Sequence, residues 1–399
     1  MWKGVQAAPA DAIFGLTEAF KNDPNTRKVN LGVGVYQDDD GNTPILKCVK
    51  EAERLLLDNE RTKSYLPISG DPIYAACVQQ LLFGADAEVI ASKRAVTAHA
   101  PGGTGALRVG AQLLYKFRPQ AKVWVSSPTW ANHVGIFADT GFELRDYAYY
   151  DGETHGLDSE AMFRCLEAIP SGDIVILHAC CHNPSGVDPQ EEQWQRLVDI
   201  ARKKQWLPFL DFAYQGFGEG VEKDRQAVEM MAAAGVDFIV ASSFSKNFGL
   251  YNERTGAITI VSPTAAEAGV AMSHLKKTVR GLYSNPPAHG GLTVATILNN
   301  QELRNVWMGE LDDMSSRIVA MRNALVDGLA ARRVAGDFSY IKQQRGMFSF
   351  SGLDDGTVSW LRDNKGIYVV GGGRINLAGL TTKNIDYVCD SISEALAGK

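Results

Sequence analysis

Short runs of apolar and β-branched residues alternate with helical patterns through the middle of the chain. Five such runs predict buried strands at Val123–Val125, Ile174–Leu177, Leu207–Phe212, Phe238–Ala241 and Ala257–Val261. Strands that are apolar along their whole length are typical of a parallel sheet covered on both faces. The pattern therefore predicts an α/β fold with a mostly parallel sheet.

A helical pattern lies between two of these strands. Asp188 and Pro189, followed by Glu191, predict a helix start with an acidic N-cap. The next apolar residues share one helix face and are Trp194, Leu197, Val198 and Ala201. The pattern predicts a βαβ unit, which requires a right-handed crossover.

From about residue 312 the pattern changes to a long helix followed by alternating strands and helices. The last predicted helix carries an apolar stripe formed by Ile385, Cys389, Ile392 and Leu396. This change predicts a second, smaller α+β domain.

Composition narrows the class of protein. The chain has 399 residues, of which 45% are hydrophobic and 22% charged, as in globular proteins. A net charge of −6 argues against nucleic acid or an anionic membrane as the main partner. We find no apolar stretch long enough for a transmembrane helix, and no signal or transit segment. The six cysteines show no CxxC spacing, so we expect reduced thiols and a cytoplasmic location.

A glycine-rich turn, Pro101–Gly105, precedes a helical pattern. Free N–H groups at such a helix start suit a phosphate, although most such turns are only structural. The dinucleotide-binding motif GxGxxG fails here, because Arg108 stands where the third glycine belongs. The sequence also lacks a P-loop.

Lys246 directly follows a predicted strand, at the end of the sheet where α/β proteins bind ligands. A lone lysine in a loop is usually solvated, but a desolvated lysine can act as a base or a nucleophile. Here the string Ser243–Arg254 resembles the pyridoxal-phosphate attachment signature of class I aminotransferases at every defined position.

The resemblance extends from about residue 9 to the C-terminus and is to the aspartate/aromatic aminotransferases. The matching stretches are Val29–Gly34, Gly103–Leu107, Pro128–Trp130, Asn183–Gly186, Asp211–Gly216, Ser284–Pro287 and Gly373–Asn376. The resemblance implies fold-type I, with a seven-stranded, mostly parallel sheet in the large domain and a smaller α+β domain. It also implies an N-terminal arm at 1–10, a small domain at 11–43 and 313–399, and a large cofactor-binding domain at 44–312.

The resemblance implies pyridoxal 5'-phosphate as the cofactor and a role for each matching residue. Lys246 would attach the cofactor and transfer a proton, and Asp211 would pair with the ring nitrogen. Asn183 and Tyr214 would hydrogen-bond the ring oxygen, while Trp130 would stack on the ring. The phosphate-binding residues would be Gly103, Thr104, Ser243 and Arg254, joined by Tyr65 from a neighbouring subunit.

Two arginines define the implied substrate. Arg374 would bind the α-carboxylate through a two-bond fork, with a backbone contact from Gly34. Arg280 would cross from the other subunit to bind the side-chain carboxylate of aspartate or glutamate. Trp130 and Asn183 would also contact the substrate. The resemblance thus implies a homodimer with composite active sites.

A compact cluster, His178, Cys180, Cys181 and His182, invites a metal interpretation. On a strand, three of these side chains would share one face while Cys181 points to the other. One rigid strand cannot enclose a tetrahedral ion, and no second Cys/His pair follows at zinc spacing. We predict no metal, and the resemblance gives these residues a supporting role behind Asn183.

The implied reaction is reversible, ping-pong transfer of the amino group from L-aspartate to 2-oxoglutarate, giving oxaloacetate and L-glutamate. The pocket positions that match the aspartate-selective type are Val35, Thr43, Thr104 and Asn285. An aromatic-amino-acid aminotransferase, acting on tyrosine and phenylalanine, is the alternative. A nicotinamide dehydrogenase would need the missing GxGxxG motif, and a non-catalytic module would be expected to lack Lys246 or Asp211.

Overall fold

The computed structural model describes residues 2–7 and 12–397. The predicted N-terminal arm, 1–10, therefore lies partly outside the described residues. The strands β1 to β13 are Val29–Asn30, Ala95–Pro101, Lys122–Ser127, Glu143–Ala148, Tyr150–Asp151, Gly156–Leu157, Ile174–His178, Leu207–Phe212, Phe238–Ser243, Thr255–Val261, Phe348–Phe350, Ile367–Tyr368 and Arg374–Asn376. The helices α1 to α15 are Ala12–Asn22, Lys47–Asn59, Pro72–Phe83, Glu88–Ala91, Gly102–Phe117, Ala131–Ala138, Ser159–Ala168, Glu191–Lys204, Val221–Asp224, Gln226–Ala233, Ala265–Leu282, Ala288–Asn299, Gln301–Ala331, Asp355–Lys365 and Ile385–Ala397.

The larger of two compact units comprises Pro44–Ser316 and Gln344–Gly346. Its seven-stranded sheet has the order β2-β10-β9-β8-β7-β3-β4. The pairs from β9 to β4 are all parallel, and β10 runs antiparallel to both of its neighbours. All five predicted strands are present, so the α/β class and the mostly parallel sheet are confirmed.

Close packing of α5 on this sheet builds the core of the larger unit. Gly110 lies so near the sheet that a Cβ there would come within 2.5 Å of Phe209 Cζ. Phe137, Ile176 and Ile258 pack in the same buried cluster as Phe209. A buried aromatic or aliphatic side chain of this kind contributes roughly 1.5–3 kcal/mol through the apolar surface it removes from water.

The predicted helix after β7 forms, but its predicted N-cap is wrong. The helix α8 begins at Glu191 with Gln190 as N-cap, and the Gln190 N–H donates to the Gln193 side chain over 2.8 Å. The Asp188 carboxylate instead accepts the N–H groups of Cys181 and His182, which precede it in the chain. The predicted apolar face of α8 is buried.

The smaller unit comprises 1–43, Arg317–Gln343 and Met347–Lys399. It contains the parallel pair β1–β12 and the antiparallel pair β11–β13. The last helix, α15, buries Cys389 and Ile392 from its predicted stripe. The assignment of a cofactor-binding domain to 44–312 stays a prediction. No helix among the described residues is both long and apolar enough to cross a membrane.

Candidate active site

The carboxyl ends of four parallel strands carry most of the predicted site residues of the larger unit. Trp130 follows β3, Asn183 follows β7, Asp211 is the penultimate residue of β8, and Lys246 follows β9. Because these strands are parallel neighbours, their carboxyl ends meet at one edge of the sheet. The sheet itself therefore brings these four predicted residues to one edge.

Asp211 is buried and held by a histidine that the sequence did not indicate. Its Oδ2 lies 3.0 Å from Nε2 of His133, on α6. The carboxylate accepts this bond, and Nδ1 of His133 lies 2.9 Å from Oγ1 of Thr129. Burial is the largest single effect and raises the pKa of Asp211. The hydrogen bond from His133, together with the electrostatic effects of His133, His178 and Lys246, outweighs burial and holds the pKa below its ordinary value. Asp211 is thus a buried, ionised carboxylate.

The second carboxylate oxygen of Asp211 is buried, and no described residue donates a hydrogen bond to it. A buried acceptor left in this way costs roughly 1–3 kcal/mol. Such an atom indicates a position where a donor of a bound molecule can pair.

Lys246 lies partly buried at the same edge. Its Nζ lies 4.6 Å from the centre of the Tyr214 ring. Burial lowers the pKa of Lys246 to about 8, against an opposing effect of the Asp211 charge. About a tenth of this amine is therefore neutral at pH 7, far more than for an exposed lysine, and the neutral form is the one that a base or nucleophile requires.

Tyr214 and Asn183 lie next to each other on separate loops. The Asn183 side-chain nitrogen is 3.5 Å from the Tyr214 hydroxyl, and both residues are buried. Two polar groups from different loops that converge in this way can act on one ligand atom.

A cluster of donors lies where α5 begins. The Arg254 guanidinium reaches Oγ of Ser245 over 3.4 Å, and Ser245 Oγ lies 3.3 Å from Oγ of Ser243. Gly102 has a φ of +74°, and a Cβ there would lie 2.5 Å from Arg254 Nη2. A Cβ at Gly103 would likewise lie 3.0 Å from Ser243 Cβ. The glycines thus let two donor side chains approach the N–H groups of the first turn of α5, which also contains Thr104.

Arg374 lies in the smaller unit and is buried on β13. Its Nη2 donates to the Gly32 carbonyl over 2.6 Å, and its guanidinium carbon lies 4.3 Å from the centre of the Phe348 ring. Gly34 belongs to the same cluster, because a Cβ there would lie 2.8 Å from Phe348 Cζ. Asn376 fixes this segment by donating to the carbonyls of Val33 and Val35.

Two further predicted site residues are exposed. Tyr65 is 92% exposed, and Arg280 is exposed near the end of α11, where it bonds to Ser284. A single chain does not bring Tyr65 or Arg280 to a buried site. Of the pocket positions, Thr43 donates to the Tyr36 carbonyl and Asn285 to the Leu66 carbonyl.

Comparison with known proteins identifies the family. The sequence model of the family described as aminotransferase class I and II matches residues 26–392. This chain belongs to the class I and II aminotransferases. Aspartate aminotransferases of Salmonella typhi and Escherichia coli are each 50% identical to it over 396 residues, covering 99% of this chain and 100% of each relative. The solved aromatic-amino-acid aminotransferase of Burkholderia pseudomallei, covalently bound to pyridoxal phosphate, matches with a TM-score of 0.97 and 48% identity, covering 99% of both chains.

The His/Cys cluster of this aminotransferase does not have the predicted strand geometry. β7 ends at His178, and Cys181 has a φ of +52°, so the chain has already turned. The rings of His178 and His182 are 4.4 Å apart, and burial lowers the pKa of His178 to about 3. Cys180, Cys181 and Asp224 place possible ligand atoms within 4.8 Å of one another. The absence of a metal stays a prediction.

His133 and Asn376 are the site residues that sequence reasoning missed. His133 follows Thr129 by four residues, but nothing in that spacing connects it with Asp211, which lies on another element. Asn376 was part of a matching stretch, so its motif was found but its contacts were not. Only the fold of the aminotransferase brings these partners together.

Proposed function

We propose that the chain catalyses reversible transfer of the amino group from L-aspartate to 2-oxoglutarate, giving oxaloacetate and L-glutamate. The observation that carries the proposal is the buried Asp211, which has one oxygen bound to His133 and the other without a donor among the described residues. It lies at the same sheet edge as Lys246, whose pKa is lowered to about 8.

Pyridoxal 5'-phosphate fits the residues present. The open oxygen of Asp211 suits a protonated ring nitrogen, and the donors Ser243, Arg254, Gly103 and Thr104 suit a phosphate dianion. When bound, this cofactor supplies an electron sink for the electron pair left at the substrate Cα.

The residues of the larger unit have separate tasks in this proposal. Lys246 would hold the cofactor, and its Nζ would then carry the proton from the substrate Cα to the cofactor. Asp211 keeps a proton on the ring nitrogen, and His133 keeps Asp211 ionised. Asn183 and Tyr214 donate hydrogen bonds to the ring oxygen, while Trp130 covers the face of the ring.

The substrate is recognised by its two carboxylates. Arg374, already oriented by Gly32 and Phe348, binds the α-carboxylate, and the Gly34 backbone contributes to the same site. Arg280 binds the side-chain carboxylate from a second copy of the chain, and Tyr65 reaches the phosphate in the same way. The exposure of both side chains supports a homodimer with composite sites. Aspartate and 2-oxoglutarate are both dicarboxylates, so one pair of arginines serves both halves of the ping-pong reaction.

Aspartate is preferred to aromatic substrates in this proposal. The aspartate-selective residue types at Val35, Thr43, Thr104 and Asn285 support the preference, as do the names of the 50% identical relatives. The 48% identity with an aromatic-amino-acid aminotransferase supports tyrosine and phenylalanine as a second substrate class.

One set of assays tests the proposal. The kcat/KM values for aspartate, tyrosine and phenylalanine are compared with 2-oxoglutarate as acceptor, and we expect the value for aspartate to be highest. Highest activity on tyrosine would make the aromatic function the main one. A protein that is colourless and inactive with added cofactor would contradict both. The cytoplasmic location and the lack of nucleic-acid and membrane partners stay predictions.

A further inference from the structure

Two loops of the larger unit carry the proposed ring-oxygen donors, and an aspartate is bonded to the backbone of each. The loop after β7 leads to Asn183, and its N–H groups at Cys181 and His182 donate to Asp188 over 2.7 and 2.8 Å. These N–H groups belong to the two residues directly before Asn183. The orientation of this backbone segment therefore fixes the position of the Asn183 Cα, from which the side chain extends.

The second loop follows β8 and carries Tyr214. Its N–H groups at Gly216, Gly218 and Glu219 donate to the two oxygens of Asp224 over 2.8, 3.0 and 2.7 Å. A Cβ at Gly218 would lie 2.5 Å from Asp224 Oδ1. The loop can therefore close on the carboxylate only because this position is a glycine.

Arg345 joins the two loops. Its backbone N–H donates to the Gly186 carbonyl of the first loop over 2.6 Å, and its guanidinium lies 3.0 Å from the Glu219 carboxylate of the second. Burial raises the pKa of Asp188 to about 6 and raises the pKa of Asp224 above its ordinary value, and the backbone hydrogen bonds and the charge of Arg345 oppose the rise. A cavity of about 300 Å³ is lined by Asp188, Asp224 and Arg345 among other residues.

The first loop is also under backbone strain. Cys181 has a φ of +52°, a conformation that costs a non-glycine residue roughly 1 kcal/mol or more. Gly346, next to Arg345, lies against it so closely that a Cβ would come within 2.5 Å of Cys181 Cβ. The bonds to Asp188 stabilise this conformation, because they hold the N–H of Cys181 in place.

We infer that Asp188 and Asp224 are positioning residues, each fixing the loop that carries one of the two ring-oxygen donors, and that Arg345 ties the two loops together. The inference rests on the proposed function for the role of Asn183 and Tyr214. The fixing of the loops is a separate property that can be measured without activity.

The main test is Asp188→Asn in the holoenzyme. The amide keeps the shape of the carboxylate but has one acceptor oxygen, and its NH₂ group faces a backbone N–H. We expect faster amide hydrogen exchange at Cys181 and His182, with kcat lower by roughly 10- to 100-fold and a smaller change in KM. The pH dependence of the visible absorption should move in the same direction as in Asn183→Ala.

Asp173→Asn is the matched control. Asp173 is a buried aspartate beside the amino end of β7, and it also accepts two N–H groups, from Lys122 and Trp124. Its substitution removes a comparable bond far along the strand from Asn183, so kcat and the absorption should be unchanged. Asp188→Glu, which restores two acceptor oxygens, should recover part of the lost kcat.

A double-mutant cycle separates positioning from general damage. In the Asn183→Ala background, Asp188→Asn should cost little further activity, because the group it positions is already absent. Asp224→Asn in the Tyr214→Phe background is the independent second test, and it applies even if Asp188→Asn does not fold.

Unchanged exchange, kcat and absorption in both asparagine variants, or full additivity in both cycles, would overturn the inference. An inactive, colourless wild-type protein would overturn the proposed function instead. Exchange at the two loops would then still decide whether the aspartates fix them.

Discussion

The buried and the exposed halves of the proposed site differ in what holds their polar groups in place. Asp211 is buried against His133, and Arg374 is buried against the Gly32 carbonyl and the Phe348 ring. Tyr65 is 92% exposed, and exposed Arg280 bonds to Ser284 at the end of its own helix. The chain alone orients the first two groups but leaves the last two in water.

The difference shows where ordering entropy is lost. A buried arginine has lost its rotamer freedom during folding, whereas an exposed one loses up to about 2 kcal/mol of it when a ligand or a second copy binds. Each buried residue should therefore be ordered before a ligand binds, and the exposed residues should depend on assembly. Four predictions test this contrast, from the largest expected effect to the smallest, and a subunit-mixing experiment sharpens the third.

Lys246→Ala should abolish transamination. It removes both the covalent attachment and the proton carrier, and general acid–base transfer alone contributes roughly 10²–10⁴-fold. Single-turnover rates with aspartate measure the loss. Lys246→Arg is the control for charge, because guanidinium stays protonated at neutral pH and should also be inactive. Near-normal turnover in either variant would mean that Lys246 is not the catalytic lysine.

Asp211→Ala should lower kcat by roughly 10²–10³-fold, the usual cost of removing one oriented partner of a reacting group. It should also lower the free energy of unfolding by roughly 1–3 kcal/mol, because His133 loses its buried acceptor. Asp211→Asn keeps an acceptor for His133 but not the charge. It should therefore recover most of the stability and little of the kcat, as urea denaturation and steady-state rates would show. Recovery of activity in Asp211→Asn would mean that the charge is not needed.

Arg280→Asp should lower kcat/KM for aspartate by roughly 10- to 150-fold, which corresponds to the loss of a charge-assisted hydrogen bond of about 1.5–3 kcal/mol. Phenylalanine has no side-chain carboxylate and should lose less. Steady-state rates with both substrates measure the difference. An equal loss for both would place Arg280 outside the substrate site.

Mixing Arg280→Asp with Lys246→Ala subunits sharpens the same prediction. In a hybrid dimer, one site takes its lysine from the first subunit and its arginine from the second, so that site is intact. Part of the wild-type aspartate activity should return. If no aspartate activity is recovered although subunit exchange is proven, Arg280 does not act in the site of the other subunit. The exposed half of the proposed site would then not depend on assembly.

The smallest effect concerns pH and the burial of Lys246. Its pKa is lowered in the folded chain from 10.5 to about 8, so between these pH values the unfolded state binds more protons. Stability of the cofactor-free protein should therefore rise with pH from 8 to 10. The rise in the free energy of unfolding should exceed that of Lys246→Met by about 1–2 kcal/mol, a figure kept small because Lys246 is partly exposed to solvent. Urea denaturation midpoints of the two proteins would show the difference. The same pH dependence of stability in both proteins would mean that the amine is well solvated.

The apolar runs predicted the central strands because those strands are buried on both faces. The strands β2 and β4 were not found from their residues. β4, with the sequence Glu143–Ala148, exposes three of its six residues at the sheet edge, so an apolar pattern does not mark it. A charged edge strand is predicted only when the family is known.

Side-chain partners far apart in the chain were the least predictable part. Asp188 has the position of a helix N-cap, but its carboxylate binds N–H groups that precede it. His133 reaches Asp211 only because α6 packs beside the strands. Motifs therefore predicted the residues of the site, whereas the contacts that orient them depend on tertiary structure.

The pairing of β1 with β12 has a consequence for synthesis on the ribosome. Val29 pairs with Ile367, so the first strand of the chain is made long before its partner exists. At a translation rate of about 5–20 residues per second, the nascent N-terminal segment waits roughly 20–70 s. The continuous stretch 44–316 can complete its sheet during that interval. Folding in the cell should therefore begin with the larger unit, and the smaller unit should close last, when the C-terminal segment emerges.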